Sequence, residues 1–170
     1  MIKSIISWWV TVGGVGYLPM PGTMGSLVGF IVYMLFYFLG LSQGAQGGLA
    51  GFLFSSIFTL LSSWAVSYYL IMTATIDPAE VVIDEFIGMI MALMLADSLG
   101  LLLSSQSFVL FWLKRFLVFI FFRLFDITKM FPVNYAEKHP WPACAVMLDD
   151  LVAGGMAVGT VYFFCWFLSL

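Results

Sequence analysis

Five apolar runs, each near the length that crosses a bilayer, limit what this chain can become. They cover about residues 26–41, 49–72, 84–103, 108–125 and 146–168 of 170. A hydrocarbon core about 30 Å thick takes about 20 apolar residues as a helix. No water there satisfies an open backbone, so the runs are expected to be helices. Charge points the same way: charged residues make up 9% of the chain and hydrophobic residues 63%, where soluble domains carry about 25% charged residues. The expected fold class is all-α. It is a polytopic membrane helical bundle with about four to five embedded helices, read as one domain over residues 1–170.

An N-terminal segment, Met1 to Val12, holds Trp8 and Trp9. Indole rings favour the headgroup level, so this segment is expected to be interfacial. No cleavage pattern follows it, and a removable leader is not expected. Turn chemistry divides the runs: the glycine-rich stretch Gly44 to Gly48 reads as a tight hairpin, and Asp77-Pro78 breaks the chain before the third run. Ser104 to Ser107 reads as a short polar turn. Met130 to Pro142, with Pro132, Pro140 and Pro142, cannot form one regular helix. Six basic residues scattered along the chain make no nucleic-acid surface. Cys144 and Cys165 lack metal-binding spacing and read as small apolar filler with no disulfide.

If every run crosses, alternation alone gathers the polar residues. The segment around Gly22-Thr23, both acidic doublets (Asp84-Glu85 and Asp149-Asp150), Arg123, Asp126, Lys129 and Lys138 fall on one membrane face. Basic residues there favour the cytoplasmic side. Lys114-Arg115 interrupts the run at 108–125, about 10 Å in from its start along a helix. The pair either snorkels to the far surface or turns inward toward a carboxylate such as Asp97.

Carboxylates beside hydrocarbon are costly unless paired, so the doublets at the starts of two apolar runs call for a partner. One doublet alone is explained by the helix dipole. Two on one face, with Asp126 as a further acid, suit a hard cation held by oxygen; without a histidine cluster they favour Mg2+ over zinc. Neighbouring helical residues point about 100° apart, so the four carboxylates are not expected to play one part. Arg123, Asp126 and Lys129 recur every third residue on one helix stripe. Their bland reading is a local ion-pair ladder; their functional one is cations for phosphate beside a carboxylate for metal or water. Pro21 to Ser26 reads as a small-residue loop whose hydroxyls, Thr23 and Ser26, and free N–H groups suit an anion. His139, in a proline-rich loop, reads as an ordinary loop residue.

Four motifs in order then resemble a known family: Gly22-Thr23-Met24-Gly25-Ser26; Val82-Ile83-Asp84-Glu85-Phe86-Ile87-Gly88-Met89; Phe122-Arg123-Leu124-Phe125-Asp126-Ile127-Thr128-Lys129; and Met147-Leu148-Asp149-Asp150-Leu151-Val152-Ala153-Gly154. The chain resembles phosphatidylglycerophosphatase A from about Gly13 to Gly159. The resemblance implies a Mg2+-dependent hydrolase of phosphatidylglycerophosphate in phospholipid biosynthesis. It would be a multi-pass protein of the bacterial inner membrane with its site on the cytoplasmic face, partnered by membrane lipid and by no obligate protein. It implies Asp84, Glu85, Asp126, Asp149 and Asp150 as catalytic residues; Asp84, Glu85, Asp149 and Asp150 as metal ligands; and Thr23, Arg123 and Lys129 as substrate-binding residues. The chain departs from the family at Met130, where proline is usual, and at Trp141 to Met147, where glycines are usual. Two rival readings predict other patterns. A CDP-alcohol phosphotransferase would show a longer aspartate series on consecutive helix turns. A small non-enzymatic transporter would spread its polar groups across the bilayer.

Overall fold

In the computed structural model the described residues are 2–41, 44–75, 78–102, 107–136 and 142–168, with no side-chain description for residues 45 and 142–144. The expectations on Asp77, Ser104, Lys138, His139, Pro140 and the Cys144 side chain lie outside them. The described elements are helical: α1 (Ile2–Val10), a 3-10 turn (Val15–Tyr17), α2 (Pro21–Phe38), α3 (Gly44–Thr73), α4 (Ile83–Ser98), α5 (Phe108–Thr128), α6 (Val133–Ala136) and α7 (Pro142–Phe167). Three stretches are long and apolar enough to cross a membrane: Pro21–Phe38, Gln46–Thr73 and Ala145–Phe167. Of the other two expected spans, α4 has 16 residues, about 24 Å of helix, and α5 carries Lys114, Arg115 and Arg123.

Three boundaries differ from the sequence reading. Gly22-Thr23 is not in a loop; Pro21 opens α2, since its fixed φ and missing N–H suit a first helical position. Gly44 to Gly48 is not a hairpin but the first turn of α3. There Gly48 lies against the α4 C-terminus, where a Cβ would stand 2.5 Å from the Ser98 nitrogen. Asp149-Asp150 does not open its helix, because α7 begins at Pro142 and places the doublet in its third turn. A proline read as a breaker here serves as a helix start.

α4 is apolar nearly all round and therefore central. It packs against α2, α3 and α7, while α5 packs mainly on α7 and α1 on α3. Met89, Leu93 and Ala96 of α4 join Tyr33, Val118, Phe122 and Val161 in one core cluster. A second cluster sets Ile6 and Val10 of α1 against Ala65, Val66 and Tyr69 of α3 and Ile87 of α4. Trp9 donates from its indole to Ser62 Oγ at 3.2 Å and lies against Phe58, while Trp8 remains exposed. Most α3 hydroxyls donate to their own helix one turn back, as Ser56 does to Phe52, Ser63 to Thr59 and Ser67 to Ser63. That bonding lets a Ser/Thr-rich helix sit among apolar neighbours without orphaned donors.

Close approach to α4 depends on glycine. A Cβ at Gly25 of α2 would stand 2.9 Å from the Val82 carbonyl oxygen, and one at Gly88 of α4 would stand 3.0 Å from Asp150 Cβ and 3.1 Å from Phe122. These contacts fix how near α2 and α7 come to the start of α4.

Lys114 and Arg115 turn inward, toward the end of α4 opposite Asp84-Glu85. Arg115 is fully buried, 3.8 Å from the equally buried Asp97. Its guanidinium lies over the Phe111 ring at 3.7 Å and the Tyr37 ring at 4.5 Å, and donates to the Phe111 carbonyl at 3.1 Å. Tyr33 donates to Asp97 at 2.5 Å, and Lys114 to the Leu101 carbonyl at 3.3 Å. This charged knot ties α2, α4 and α5 together about 20 Å from Asp84 along α4.

Candidate active site

Four helix segments meet at the other end of the bundle around a cavity of about 630 Å³. The first turn of α2 contributes Gly22 and Thr23, the first turn of α4 Asp84 and Glu85, the last turns of α5 Arg123 and Asp126, and the third turn of α7 Asp149 and Asp150. Lys129 follows α5 directly, and all eight residues expected from the sequence line this one cavity. The packing of α2, α5 and α7 around α4 brings them together. Met20, Pro21, Pro78, Ala79, Val81, Ala145 and Val146 complete the lining. Nothing in the pattern of charges marks these residues, since their contribution is position alone.

The charges separate into two groups. Asp84, Glu85 and Asp150 each offer an oxygen, and these oxygens lie within 4.8 Å of one another. Asp84 and Asp150 are buried and Glu85 half-buried. Asp84 Oδ1, Glu85 Oε2 and Asp150 Oδ1 are buried with no hydrogen-bond partner among the described residues. Three carboxylates facing one another with orphaned oxygens are unstable as they stand. An oxygen-seeking cation removes both the repulsion and the missing bonds, so this trio fits a hard divalent metal.

The second group is neutralised internally. Asp126 Oδ2 accepts from Arg123 Nη1 at 2.6 Å, and Asp126 Oδ1 from Lys129 Nζ at 3.1 Å. Lys129 also pairs with Asp149 Oδ2, while Asp149 Oδ1 accepts the Asp150 N–H at 3.0 Å. Asp149 therefore faces Lys129 rather than the trio. Arg123 Nη1 donates as well to Ser26 Oγ at 3.1 Å, and that hydroxyl donates to the Gly22 carbonyl at 2.9 Å. The chain from Gly22 through Ser26 to Arg123 locks α2 onto α5, a role for Ser26 that its place in the first motif did not disclose. Gly22 leaves room for the Arg123 and Glu85 side chains, both of which a Cβ there would meet.

Lys129 ends α5 in the left-handed region, with φ 46° and ψ 41° and its N–H on the Phe125 carbonyl. A lysine there costs about 1–2 kcal/mol, and its ion pairs with Asp126 and Asp149 hold it. Burial alone would lower its pKa, but the hydrogen bond to Asp149 and the charges of Asp149, Asp126 and Asp150 outweigh burial and raise it.

Comparison with known proteins agrees with the four motifs. The family model for phosphatidylglycerophosphatase A matches residues 8–165. A phosphatidylglycerophosphatase A of Haemophilus influenzae is 32% identical over 149 residues, covering 85% of this chain and 78% of that protein. The Escherichia coli phosphatidylglycerophosphatase A is 28% identical over 155 residues, covering 88% and 77%. A Bacteroides thetaiotaomicron protein designated a candidate phosphatidylinositol-3-phosphatase is 30% identical over 142 residues, covering 83% and 81%. No solved structure matches the chain. With nearly its whole length matched, and with the motif residues gathered in one cavity at one end of an apolar helical bundle, the chain belongs to the phosphatidylglycerophosphatase A family.

Proposed function

We propose that this protein is a phosphoric monoester hydrolase of the membrane that converts phosphatidylglycerophosphate and water to phosphatidylglycerol and phosphate, as a step in phospholipid biosynthesis. One observation carries the reading: three carboxylates with orphaned oxygens stand beside two cations in a single cavity at the end of an apolar bundle. A phosphomonoester on a lipid head group needs that combination. Its charge calls for both metal and basic side chains, and its acyl chains call for a site at the membrane surface.

In this reading Asp84, Glu85 and Asp150 hold a divalent cation, Mg2+ by the hardness of the ligand set. When bound, the ion neutralises phosphate charge and activates water. Arg123 and Lys129 receive the phosphate oxygens and stabilise the charge that shifts among them as the P–O bond to glycerol breaks. Thr23 stands at the start of α2, whose free N–H groups favour an anion. Asp126, as metal ligand, proton acceptor or support, and Asp149, paired with Lys129, complete the proposed catalytic set. Gathering Arg123 and Lys129 at this end supports a cytoplasmic face in the bacterial inner membrane.

The test is phosphate release by the purified protein from phosphatidylglycerophosphate in mixed micelles, with Mg2+ and with chelator. Phosphate released only with metal, and abolished in Asp84→Asn and Asp150→Asn, is the expected result. Near-normal release by both variants would overturn the site. The Bacteroides relative gives a specific reason to run phosphatidylinositol 3-phosphate in parallel. Faster release from that lipid would move the assignment to an inositol head group, with the same chemistry.

A further inference from the structure

The proposed function leaves the part played by Asp126 open between metal ligand, proton acceptor and support. Its surroundings choose among these. Asp126 is buried, and each of its oxygens is already engaged by a different cation, Oδ2 by Arg123 at 2.6 Å and Oδ1 by Lys129 at 3.1 Å. It is not one of the three residues whose oxygens converge within 4.8 Å. Removing it would leave two buried or half-buried cations side by side with only Asp149 to separate them. Lys129 would also lose one of the two carboxylates that hold it in a left-handed backbone conformation. A carboxylate bridging two cations resembles the arrangement that those cations would offer to phosphate, with two donors set at a fixed distance from each other.

We propose that Asp126 is a positioning residue: an anionic spacer that holds Arg123 and Lys129 as a preset pair of phosphate-binding cations, and neither a metal ligand nor the acceptor of a proton. The inference rests on the proposed phosphatase reading. It assigns the site two adjoining halves with different parts. The trio Asp84, Glu85 and Asp150 governs metal affinity. The ladder Arg123, Asp126 and Lys129, closed by Asp149, governs affinity for phosphate. Asp126 also lies near enough to Asp150 and Glu85 to repel them, so its two cations additionally keep its charge from opposing the trio.

The experiment compares wild type with Asp126→Asn, Asp126→Glu and Asp150→Asn, purified in detergent and checked for folding by thermal unfolding. Two bindings are measured without lipid: Mn2+ by paramagnetic resonance, and inorganic phosphate by calorimetry at saturating Mn2+. Asp126→Asn is expected to keep Mn2+ affinity within about threefold and to lose at least about tenfold in phosphate affinity, because the two cations are no longer held in place before phosphate arrives. With lipid substrate its KM should rise. Asp126→Glu keeps the charge and should recover part of the phosphate affinity; it also supplies the measurement if the asparagine variant does not fold. Asp150→Asn should lose Mn2+. A loss of Mn2+ affinity in Asp126→Asn equal to that of Asp150→Asn would make Asp126 a metal ligand and overturn the proposal. Unchanged phosphate affinity with a collapsed kcat and a missing acid limb in the pH profile would make it a proton acceptor and overturn it equally. Failure of wild type to release phosphate from any lipid would refute the phosphatase reading, while the two binding measurements would still report on Asp126.

Discussion

The buried knot at the far end of the bundle gives the sharpest test of how this fold holds together. Asp97 and Arg115 are both fully buried and lie 3.8 Å apart. At an effective dielectric constant of about 20, opposite charges at that distance attract by about 4 kcal/mol, and with neither side chain exposed no solvent screening discounts the figure. Arg115→Met leaves Asp97 buried with the Tyr33 hydroxyl as its hydrogen-bond partner among the described residues. Leaving a buried charge without its partner costs about 3–5 kcal/mol. Asp97→Asn should cost less, because the guanidinium keeps the Phe111 and Tyr37 rings and the Phe111 carbonyl. The double variant should be more stable than the sum of the single losses predicts, by about 2–3 kcal/mol of coupling. Reversible unfolding in mixed detergent and denaturant, followed by tryptophan fluorescence, measures all four corners of the cycle. Additive losses, with coupling below about 0.5 kcal/mol, would refute the claim that the two charges stabilise each other, and would leave burial of each with its aromatic or tyrosine neighbour as the whole account.

Gly88→Ala should destabilise by about 1–3 kcal/mol, since its Cβ would meet Asp150 Cβ at 3.0 Å and the Phe122 ring at 3.1 Å; activity should fall more than stability, read by assay below the unfolding midpoint, because the displaced residue belongs to the trio. Mg2+ should raise the unfolding temperature of wild type, by an amount equivalent to about 2.7 kcal/mol at a hundred times Kd, and should leave that of Asp84→Asn unchanged in the same thermal scan. Lys129 has a raised pKa in the folded state. A raised folded value means its stabilising contribution is complete below the unfolded pKa of about 10.4 and is lost only as pH climbs through the folded value. Lys129→Met should therefore cost the same stability at pH 6 as at pH 9, and a cost that fades toward pH 9 in denaturant titrations would contradict the ion-pair assignment.

The helical architecture and the gathering of polar residues were legible in the sequence for a physical reason. In hydrocarbon the backbone has only the helix or the closed barrel open to it, so apolar run lengths determine the elements, and alternation, if every run crosses, determines which ends meet. Thr23, both doublets, Arg123, Asp126 and Lys129 then fall at one end of the bundle, and the cavity gathers the same residues. Helix starts were less legible. Pro21, Gly44 and Pro142 look like loop or turn residues along the chain, and each stands in the first described position of a helix: a proline there gives up no intrahelical hydrogen bond, and Gly44 takes a φ of 79° that favours glycine.

What the sequence determined by itself was therefore which residues would meet; what the tertiary structure decided was how they divide. Both acidic doublets look alike along the chain. Only the packing of α7 on α4, made close by Gly88, turns Asp150 toward Asp84 and leaves Asp149 facing Lys129. Lys114-Arg115 could likewise go outward or inward by sequence alone. The space between α4 and α5, with a buried carboxylate at Asp97 and aromatic rings at Tyr37 and Phe111, decided it. Periodicity and run length are local properties of a chain, but the partner of a buried charge is set by distance in space, and distance exists only once the helices have packed.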